Sequence, residues 1–317
     1  MSKHSQGAHP RRTSILLCIV IVCSLIFLTL LIHPSGLHFH HFEKEVPVGK
    51  TEKGYLFSKT CTVCGNTKNK FYDAMVTFVD DDGKAQALLH WERIIDATGI
   101  EMTCALIPGK IGATTDFEDW AAYAGWDLLD RLGQKGIDYV HHTYSHTRLS
   151  TFSEEQMHED FQKCIEAMED HGIHSKILVY PFYDYNDTVV SVAQQYFDAA
   201  FAGQNKTIHD ITANPYSLNR VKTNDAKLVK TITFSNGKTV DCLGVKSARA
   251  LAGKMRAATK AGDWLVYVTH AYDSPSGKYY FDEQSEKSII WFCRYVNLSG
   301  NVKIVNLTEG LAAANPI

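Results

Sequence analysis

Four short apolar runs of this sequence each lead into polar or turn-forming residues, and this arrangement limits the folds that the chain can adopt. In chain order, they are residues 76–79 before Asp80-Asp81-Asp82-Gly83, residues 137–140 before the histidines 141, 142 and 146, residues 177–180 before Pro181-Phe182, and residues 264–269 before His270. Such runs are typical of strands buried on both faces of a parallel sheet. In α/β barrels the carboxyl ends of the strands meet at one rim and carry the chemistry. We therefore expect these terminal side chains to converge.

The segments between the runs have helical patterns, so predicted strands and helices alternate. Leu88, Trp91 and Ile95 recur at helical spacing, and Ser153 with Gln156 forms a capping-box signature. Further strands are predicted near residues 102–107, 199–202 and 302–305, and further helices near residues 187–196, 247–261 and 281–298. This alternation predicts an α/β barrel with a parallel sheet.

Composition agrees with a single large domain that carries one insertion. The chain has 317 residues with 45% hydrophobic content, which is sufficient for one α/β barrel. Residues 231–242 interrupt the alternation, because Asn236-Gly237 between two β-rich runs predicts a hairpin. The formal net charge is −3 and no basic face is evident, so we expect no nucleic-acid partner.

Three of the strand-end side chains are suited to bind one divalent cation. His142 and His146 are four residues apart, so on a helical turn both imidazoles would face the same way. Asp82 from another strand would add an anionic ligand and leave a position open for water, which is the pattern of catalytic zinc sites. Asp81 would then act as a base on that water, and His270 is placed to protonate a leaving group.

The expected cofactor is therefore a divalent metal ion. Zn²⁺ is the first expectation, because two histidines, one carboxylate and an open position suit it. Co²⁺, Fe²⁺ and Ni²⁺ are alternatives, and the same ligand set also describes a facial iron site.

These motifs resemble those of the polysaccharide deacetylase family, the NodB-type carbohydrate esterases of family 4, over about residues 71–311. In that family the aspartate pair before glycine supplies a base and then a metal ligand, which the resemblance assigns to Asp81 and Asp82. The family motif His-Ser/Thr-x-x-His matches residues 142–146, and Leu-x-His resembles residues 268–270 with valine in place of leucine. The resemblance gives Asp80 no role.

A third family motif, Arg-x-Pro-Tyr/Phe, is only half present. Pro181 and Phe182 match it, whereas Val179 stands at the arginine position. The resemblance implies that the Phe182 backbone N–H helps to stabilise an oxyanion and that the arginine would orient Asp81. Arg220 is a candidate to take the place of the missing guanidinium.

The resemblance implies a distorted, incompletely closed (β/α) barrel that removes acetyl groups from an N-acetylated or O-acetylated polysaccharide. Chitin, peptidoglycan and poly-N-acetylglucosamine are the polymers of this type. Aromatic residues beside the motifs are candidates for contact with sugar rings, together with Pro181: Tyr144, Tyr183, Tyr185 and Tyr272. Two alternatives stay open, namely a catalytically inactive, membrane-tethered carbohydrate-binding homologue, which Val179 motivates, and an amidohydrolase that cleaves a non-sugar C–N bond.

The N-terminal region predicts where the catalytic domain lies. Residues 15–32 have no charge or proline and approach the length that crosses a ~30 Å hydrocarbon core. Lys3, Arg11 and Arg12 precede this run and the next basic residue is Lys44, which places the N-terminus in the cytoplasm. No small-x-small cleavage site follows the run, so an uncleaved signal anchor is favoured over a cleaved signal peptide.

We therefore predict four segments: a cytoplasmic tail at residues 1–14, a transmembrane anchor at 15–32, a stalk at 33–70, and a catalytic domain at 71–317 outside the cytoplasm. Within the stalk, Cys61 and Cys64 are spaced for a short disulfide in an oxidising compartment. With Gly65 they also resemble half of a zinc knuckle, although no second CxxC completes it. The histidines at 33, 38, 40 and 41 are interpreted as part of a solvated spacer rather than a metal-scavenging segment.

Overall fold

The apolar run that ends in three aspartates forms the central strand of a parallel sheet in the computed structural model. The model describes residues 40–113, 122–233, 237, 239–270 and 281–317, with the backbone alone for 224–233 and 239–245. The strands are β1 Val46–Thr51, β2 Gly54–Thr60, β3 Thr67–Tyr72, β4 Ala74–Asp81, β5 Met102–Leu106, β6 Ile137–His141, β7 Ile177–Val179, β8 Ala199–Phe201, β9 Val221–Lys222, β10 Asn224–Thr233, β11 Thr239–Val245, β12 Trp264–His270 and β13 Val302–Ile304.

Within the described ranges, seven α-helices lie between or after these strands. They are α1 Ala85–Thr98, α2 Trp126–Gly133, α3 Glu154–Glu169, α4 Asp187–Ala193, α5 Ala248–Ala261, α6 Glu283–Ser299 and α7 Leu307–Ala314. The predicted capping box of α3 is present, because Ser153 Oγ accepts from the Gln156 N–H and Gln156 Oε1 accepts from the Ser153 N–H. The predicted hairpin is also confirmed, since β10 pairs antiparallel with β11.

The chain divides into two compact units. Among the described residues the first unit comprises 40–45 and Ser58–Lys68, and the second comprises Val46–Phe57 and Asn69–Ile317. The large sheet and the helices belong to the second unit.

Eight strands form the curled sheet of the second unit. Their order is β8-β7-β6-β5-β4-β12-β9, and β13 also pairs with β4. These pairs are parallel, so all the carboxyl ends lie at one edge. The prediction of an incompletely closed (β/α) barrel is confirmed in outline, as a half-barrel of parallel strands with helices.

Alternation along β4 and β12 separates two sets of side chains. The side chains of Val76 and Phe78 pack in the same core layer as α1 and α6, whereas those of Met75 and Val79 pack in the core inside the curled sheet. Because side chains alternate, Asp80 points to the helical layer and Asp81 to the inside. In β12, Thr269 lies beside Asp80 and His270 beside Asp81 in the parallel register.

The segment before β9 connects the two edges of the sheet. Leu218 forms a parallel bridge with Phe201 of β8, and the Ala202 N–H donates to the Leu218 carbonyl. The Asn205 N–H donates to the Arg220 carbonyl. The chain then continues into β9, which pairs with β12. Arg220 is therefore fixed between β8 and β12, at the edge where the strands end.

The predicted stalk differs from the structure over most of its described length. Residues 46–72 form β1, β2 and β3, which lie in that order in one small sheet. In the second unit Tyr55 and Phe57 are buried in the core inside the curled sheet. The composition suggested a stalk because β3 exposes five of its six residues to solvent, so its sequence lacks apolar alternation.

The predicted membrane anchor, residues 15–32, and the cytoplasmic tail lie outside the described residues. Among the residues that the structure describes, no helix has the length and hydropathy that a membrane crossing requires.

Candidate active site

Asp82, His142 and His146 lie together at the carboxyl ends of β4 and β6, and we call them the strand-end cluster. Asp82 Oδ1 is 3.5 Å from His142 Nε2 and 3.3 Å from His146 Nε2. Tetrahedral coordination with the usual zinc bond lengths places ligand atoms roughly 3.3 to 3.5 Å apart. The three residues are therefore spaced to hold one cation, as the sequence predicted.

The atoms that face one another in this cluster are hydrogen-bond acceptors. His142 Nδ1 lies 2.7 Å from the Val179 carbonyl, which can only accept, so this nitrogen carries a proton and Nε2 is the ring atom left to bind a cation. Burial lowers the pKa of His146 to about 3, so its imidazole is uncharged at neutral pH. Among the described residues, both buried Asp82 carboxylate oxygens have no hydrogen-bond partner. A carboxylate and two imidazoles in this arrangement fit a divalent cation.

The loop that carries both histidines corrects one prediction. Residues 142–146 do not form a helical turn, because Thr143 and His146 have positive φ angles of 65° and 57°. The four-residue spacing brings the imidazoles together through a tight loop, with ring centroids 4.9 Å apart. The structure therefore brings together the two histidines that the sequence paired, but through a loop instead of the helical turn that was predicted.

Asp160 of α3 holds this loop, and the sequence analysis did not identify it. Its carboxylate accepts hydrogen bonds from the Tyr144 N–H at 2.8 Å and the Ser145 N–H at 3.0 Å. The Thr143 hydroxyl accepts a further bond from the His146 N–H. The available signal was an acidic residue between Met157 and Cys164 on the apolar face of a helix, where an unpaired carboxylate would be costly.

Asp81 lies beside the strand-end cluster with two partners. Arg220 Nη1 contacts Asp81 Oδ1 at 2.6 Å, and His270 Nε2 lies 3.3 Å from Asp81 Oδ2. Both Asp81 and Arg220 are almost wholly buried, while His270 remains partly accessible. Burial raises the pKa of Asp81, but the Arg220 charge and the His270 hydrogen bond outweigh it and hold that pKa well below its ordinary value. Arg220 thus occupies the orienting position that Val179 cannot fill.

Asp80 lies on the other side of the sheet. Its Oδ2 accepts from Trp91 Nε1 at 3.2 Å and from the Thr269 hydroxyl at 2.7 Å. Burial raises its pKa to about 7, in contrast to that of Asp81. Three consecutive aspartates therefore have different surroundings, because strand alternation and the turn at Gly83 point them in different directions.

Pro181 and Phe182, the two matching residues of the third motif, lie next to the histidines. Phe182 has a positive φ of 57° and is 46% exposed, and its ring centroid lies 4.6 Å from that of His146 with the two rings tilted by 40°. The Arg148 guanidinium lies 4.8 Å from the Phe182 ring. Pro181 is buried and begins the short 3₁₀ turn Pro181–Tyr183.

The predicted sugar-contacting tyrosines have separate surroundings. Tyr183 lies 5.2 Å from the Arg220 guanidinium, and Tyr185 stacks on Tyr180. Tyr144 packs against the core beneath the helices. Tyr272 lies outside the described residues. Tyr183 therefore lies beside Arg220, a residue of the candidate site.

Comparison with known proteins supports the resemblance to polysaccharide deacetylases over part of the chain. Residues 68–197 match the family model for polysaccharide deacetylase. This segment contains the aspartate pair, both histidines and the half-conserved third motif, whereas Arg220 and His270 follow it. This match supports the resemblance of that segment to the NodB-type polysaccharide deacetylases. No curated protein sequence matches the chain.

Solved structures of this family have a similar fold. A Mycobacterium smegmatis protein assigned to the polysaccharide deacetylases aligns with a TM-score of 0.54 and 13% identity, over 76% of this chain and 89% of that one. A family 4 carbohydrate esterase from Streptomyces lividans aligns with a TM-score of 0.48 and 14% identity, over 78% and 100%. A family 4 pseudoenzyme from Bacillus anthracis has a TM-score of 0.46 and 13% identity, over 77% and 66%. At these identities the first alignment supports the fold alone.

Proposed function

We propose that this protein is a metal-dependent hydrolase that removes acetyl groups from an acetylated extracellular polysaccharide. One observation carries the proposal, namely the different surroundings of two adjacent carboxylates. Asp81 is held by Arg220 and His270, whereas Asp82 faces two imidazole nitrogens. Hydrolysis by metal-activated water requires a base close to the metal ligands, and these two consecutive residues are suited to the two roles.

Asp82, His142 and His146 would hold the ion, with Zn²⁺ as the favoured metal. Bound there, a divalent ion supplies Lewis acidity that polarises a carbonyl and makes water more acidic. The Val179 carbonyl fixes the His142 ring, and Asp160 fixes the loop between the two histidines. These outer contacts keep the ligand atoms in place before the ion binds.

Asp81 would accept the proton of the attacking water. The Arg220 guanidinium keeps this carboxylate ionised and fixes its orientation, so the other oxygen faces His270. His270 is the group in this pair that reaches solvent, and it would deliver a proton to the departing amine or alcohol. The Phe182 N–H would donate to the oxyanion of the acetyl group, a contact worth roughly 3 to 4 kcal/mol in other enzymes.

The inactive-homologue alternative rested on Val179 in place of an arginine. Its physical basis was the loss of a guanidinium beside the base. Arg220 supplies a guanidinium 2.6 Å from Asp81 from a different part of the chain. The candidate base, acid and three ligands are all retained, and we therefore favour an active enzyme.

An extracytoplasmic location is part of the proposal. It rests on the sequence, through the uncharged run at residues 15–32 with basic residues before it. A domain anchored in this way faces cell-wall or matrix polysaccharides. Protease added to intact cells should digest the chain beyond residue 33, while a tag ahead of Met1 stays protected. Protection of the catalytic domain would reverse the orientation and rule out an extracellular polymer.

The substrate is tested with acetylated peptidoglycan, chitin, poly-N-acetylglucosamine and xylan, each incubated with the purified full-length chain. Acetate release is the measurement, and a small non-sugar acetamide is the comparison substrate. We expect release from at least one polymer at a rate well above that from the small amide. Release from the small amide alone would favour the amidohydrolase alternative, and no release from any substrate by metal-loaded protein would favour the inactive homologue.

A further inference from the structure

A second set of metal-binding side chains lies in the first unit, at the turn that joins β2 to β3. Residues 61–66 form this turn, in which the Gly65 N–H donates to the Cys61 carbonyl and the Cys61 N–H donates to the Asn66 carbonyl. Gly65 has a φ of 72°, a conformation that glycine adopts at little cost. The turn places Cys61 and Cys64 on one side, as in the CxxCG turns that hold metals through two thiolates.

A third ligand reaches this turn from the segment before β1. Phe42 forms an antiparallel bridge with Cys61, and the Thr62 N–H donates to the His41 carbonyl at 2.9 Å. The Glu43 N–H donates to the Thr60 carbonyl at 3.0 Å. These backbone contacts bring His40 beside the two cysteines, although 20 residues separate it from Cys61 in the sequence.

The donor atoms of His40, Cys61 and Cys64, which we call the hairpin cluster, all lie within 4.8 Å of one another. His40 Nδ1 is 3.3 Å from Cys64 Sγ. Tetrahedral zinc with usual bond lengths would separate a thiolate sulfur from an imidazole nitrogen by roughly 3.6 Å. Neither cysteine is in a disulfide in the described part of the chain.

We propose that the hairpin cluster is a second metal site, which takes a zinc-type divalent ion and fastens residues 40–43 to the β2–β3 turn. Two thiolates and one imidazole select soft or borderline ions such as Zn²⁺ over Mg²⁺ or Ca²⁺. Both thiols release their protons on binding, and water completes four coordination positions. The site shares no residue with the strand-end cluster, so it is independent of the proposed catalytic activity.

The test uses Co²⁺ as a spectroscopic substitute in the purified full-length chain. The chain is reduced, stripped of metal with a chelator, and titrated with Co²⁺. We expect a thiolate-to-cobalt charge-transfer band that saturates at about one equivalent for this site. Cys61→Ser and Cys64→Ser should each remove most of the band. His40→Ala should weaken cobalt binding by more than the roughly tenfold that loss of an outer contact costs.

Two matched variants complete the test. His41→Ala changes the neighbouring histidine and should leave the band unchanged, and far-ultraviolet circular dichroism checks that each variant is folded. His142→Ala removes a ligand of the strand-end cluster and should also keep the thiolate band, which separates failure of this proposal from failure of the proposed activity. Absence of the band in the wild-type chain would overturn the proposal. So would its persistence in Cys64→Ser, or a metal-free Cys61–Cys64 disulfide in protein purified without reductant.

Discussion

The strand-end cluster and the hairpin cluster bring three ligands together in different ways. Asp82 and His142 are almost wholly buried, and the loop of His146 is held by Asp160. In the hairpin cluster Cys61 is buried, Cys64 is partly exposed, and His40 is exposed in the segment that precedes β1. The strand-end cluster combines one carboxylate with two imidazoles. The hairpin cluster combines two thiolates with one imidazole.

This difference distinguishes a site suited to catalysis from a site suited to a structural role. The strand-end cluster has a carboxylate base beside it, with a guanidinium that keeps the base ionised. The hairpin cluster instead joins two segments of backbone that already share hydrogen bonds. We infer that ligand type and neighbouring charge, rather than the number of ligands, distinguish the two roles.

The largest expected effect comes from the adjacent carboxylates of the active site. Asp81→Asn should retain metal and lower the rate of acetate release by roughly 10²- to 10⁴-fold, because it removes the base. Asp82→Asn should lose both the metal of the strand-end cluster and the activity. Asp80→Asn is the matched control and should keep most of both, since Asp80 faces Trp91 and Thr269. Full activity in Asp81→Asn would require another base.

Loss of Arg220 should have the next largest effect. Arg220→Ala leaves the buried Asp81 carboxylate without its cation, which typically costs about 3 to 5 kcal/mol of unfolding free energy. Burial would then raise the pKa of Asp81, so the acid limb of the pH–rate profile should move to higher pH. Urea unfolding and pH profiles measure these effects. Arg148→Ala, at an exposed arginine beside Phe182, is the control, and an unchanged acid limb in Arg220→Ala would contradict the orienting role.

Asp160→Asn should affect the strand-end cluster without affecting the hairpin cluster. The asparagine amide has one acceptor oxygen for two backbone N–H donors, so the histidine loop loses a contact. We expect metal affinity at the strand-end cluster to fall roughly 10- to 100-fold, while the thiolate–cobalt band stays unchanged. Glu159→Gln, on the exposed side of the same helix, should leave both unchanged. Equal metal affinities at the strand-end cluster in Asp160→Asn and Glu159→Gln would show that Asp160 does not hold the histidine loop for metal binding.

The last prediction concerns a half-buried carboxylate outside both clusters. Asp138 accepts hydrogen bonds from Thr103 and Thr308, and burial raises its pKa to about 6. Its protonated form is favoured in the folded chain, so its stabilising contribution is complete below about pH 4 and is lost as the pH rises through about 6. Asp138→Asn should remove up to roughly 3 kcal/mol of this pH dependence. Urea unfolding at several pH values measures this pH dependence, and Asp127→Asn, at an exposed position, is the control. If the stability of the wild type and of Asp138→Asn depended on pH in the same way, the raised pKa of Asp138 would be contradicted.

Local sequence patterns predicted most of the sheet and part of the site. The strands that became β4, β5, β6 and β12 were apparent from their apolar runs, and the α3 capping box from two residues. Asp82, His142 and His146 were predicted together because each follows a strand whose end must lie at the same rim.

Features that depend on distant parts of the chain were harder to predict. Arg220 was only a candidate partner of Asp81, because 139 positions separate the two residues and no spacing rule relates them. His40 could not be paired with Cys61 without knowledge of the isolated β-bridge between Phe42 and Cys61. Asp160 resembled an ordinary helical acid until the histidine loop was placed beside it.

Acetate release before and after metal removal is the most direct test of the proposed metal-dependent hydrolysis. The full-length chain is treated with a chelator, assayed on the polymer that it hydrolyses best, and assayed again after Zn²⁺ is restored. We expect chelation to abolish acetate release in the wild type and in Cys64→Ser, and Zn²⁺ to restore it in both. We expect no recovery with Zn²⁺ in His142→Ala. Undiminished acetate release from protein whose strand-end cluster has been emptied of metal would contradict metal-dependent hydrolysis.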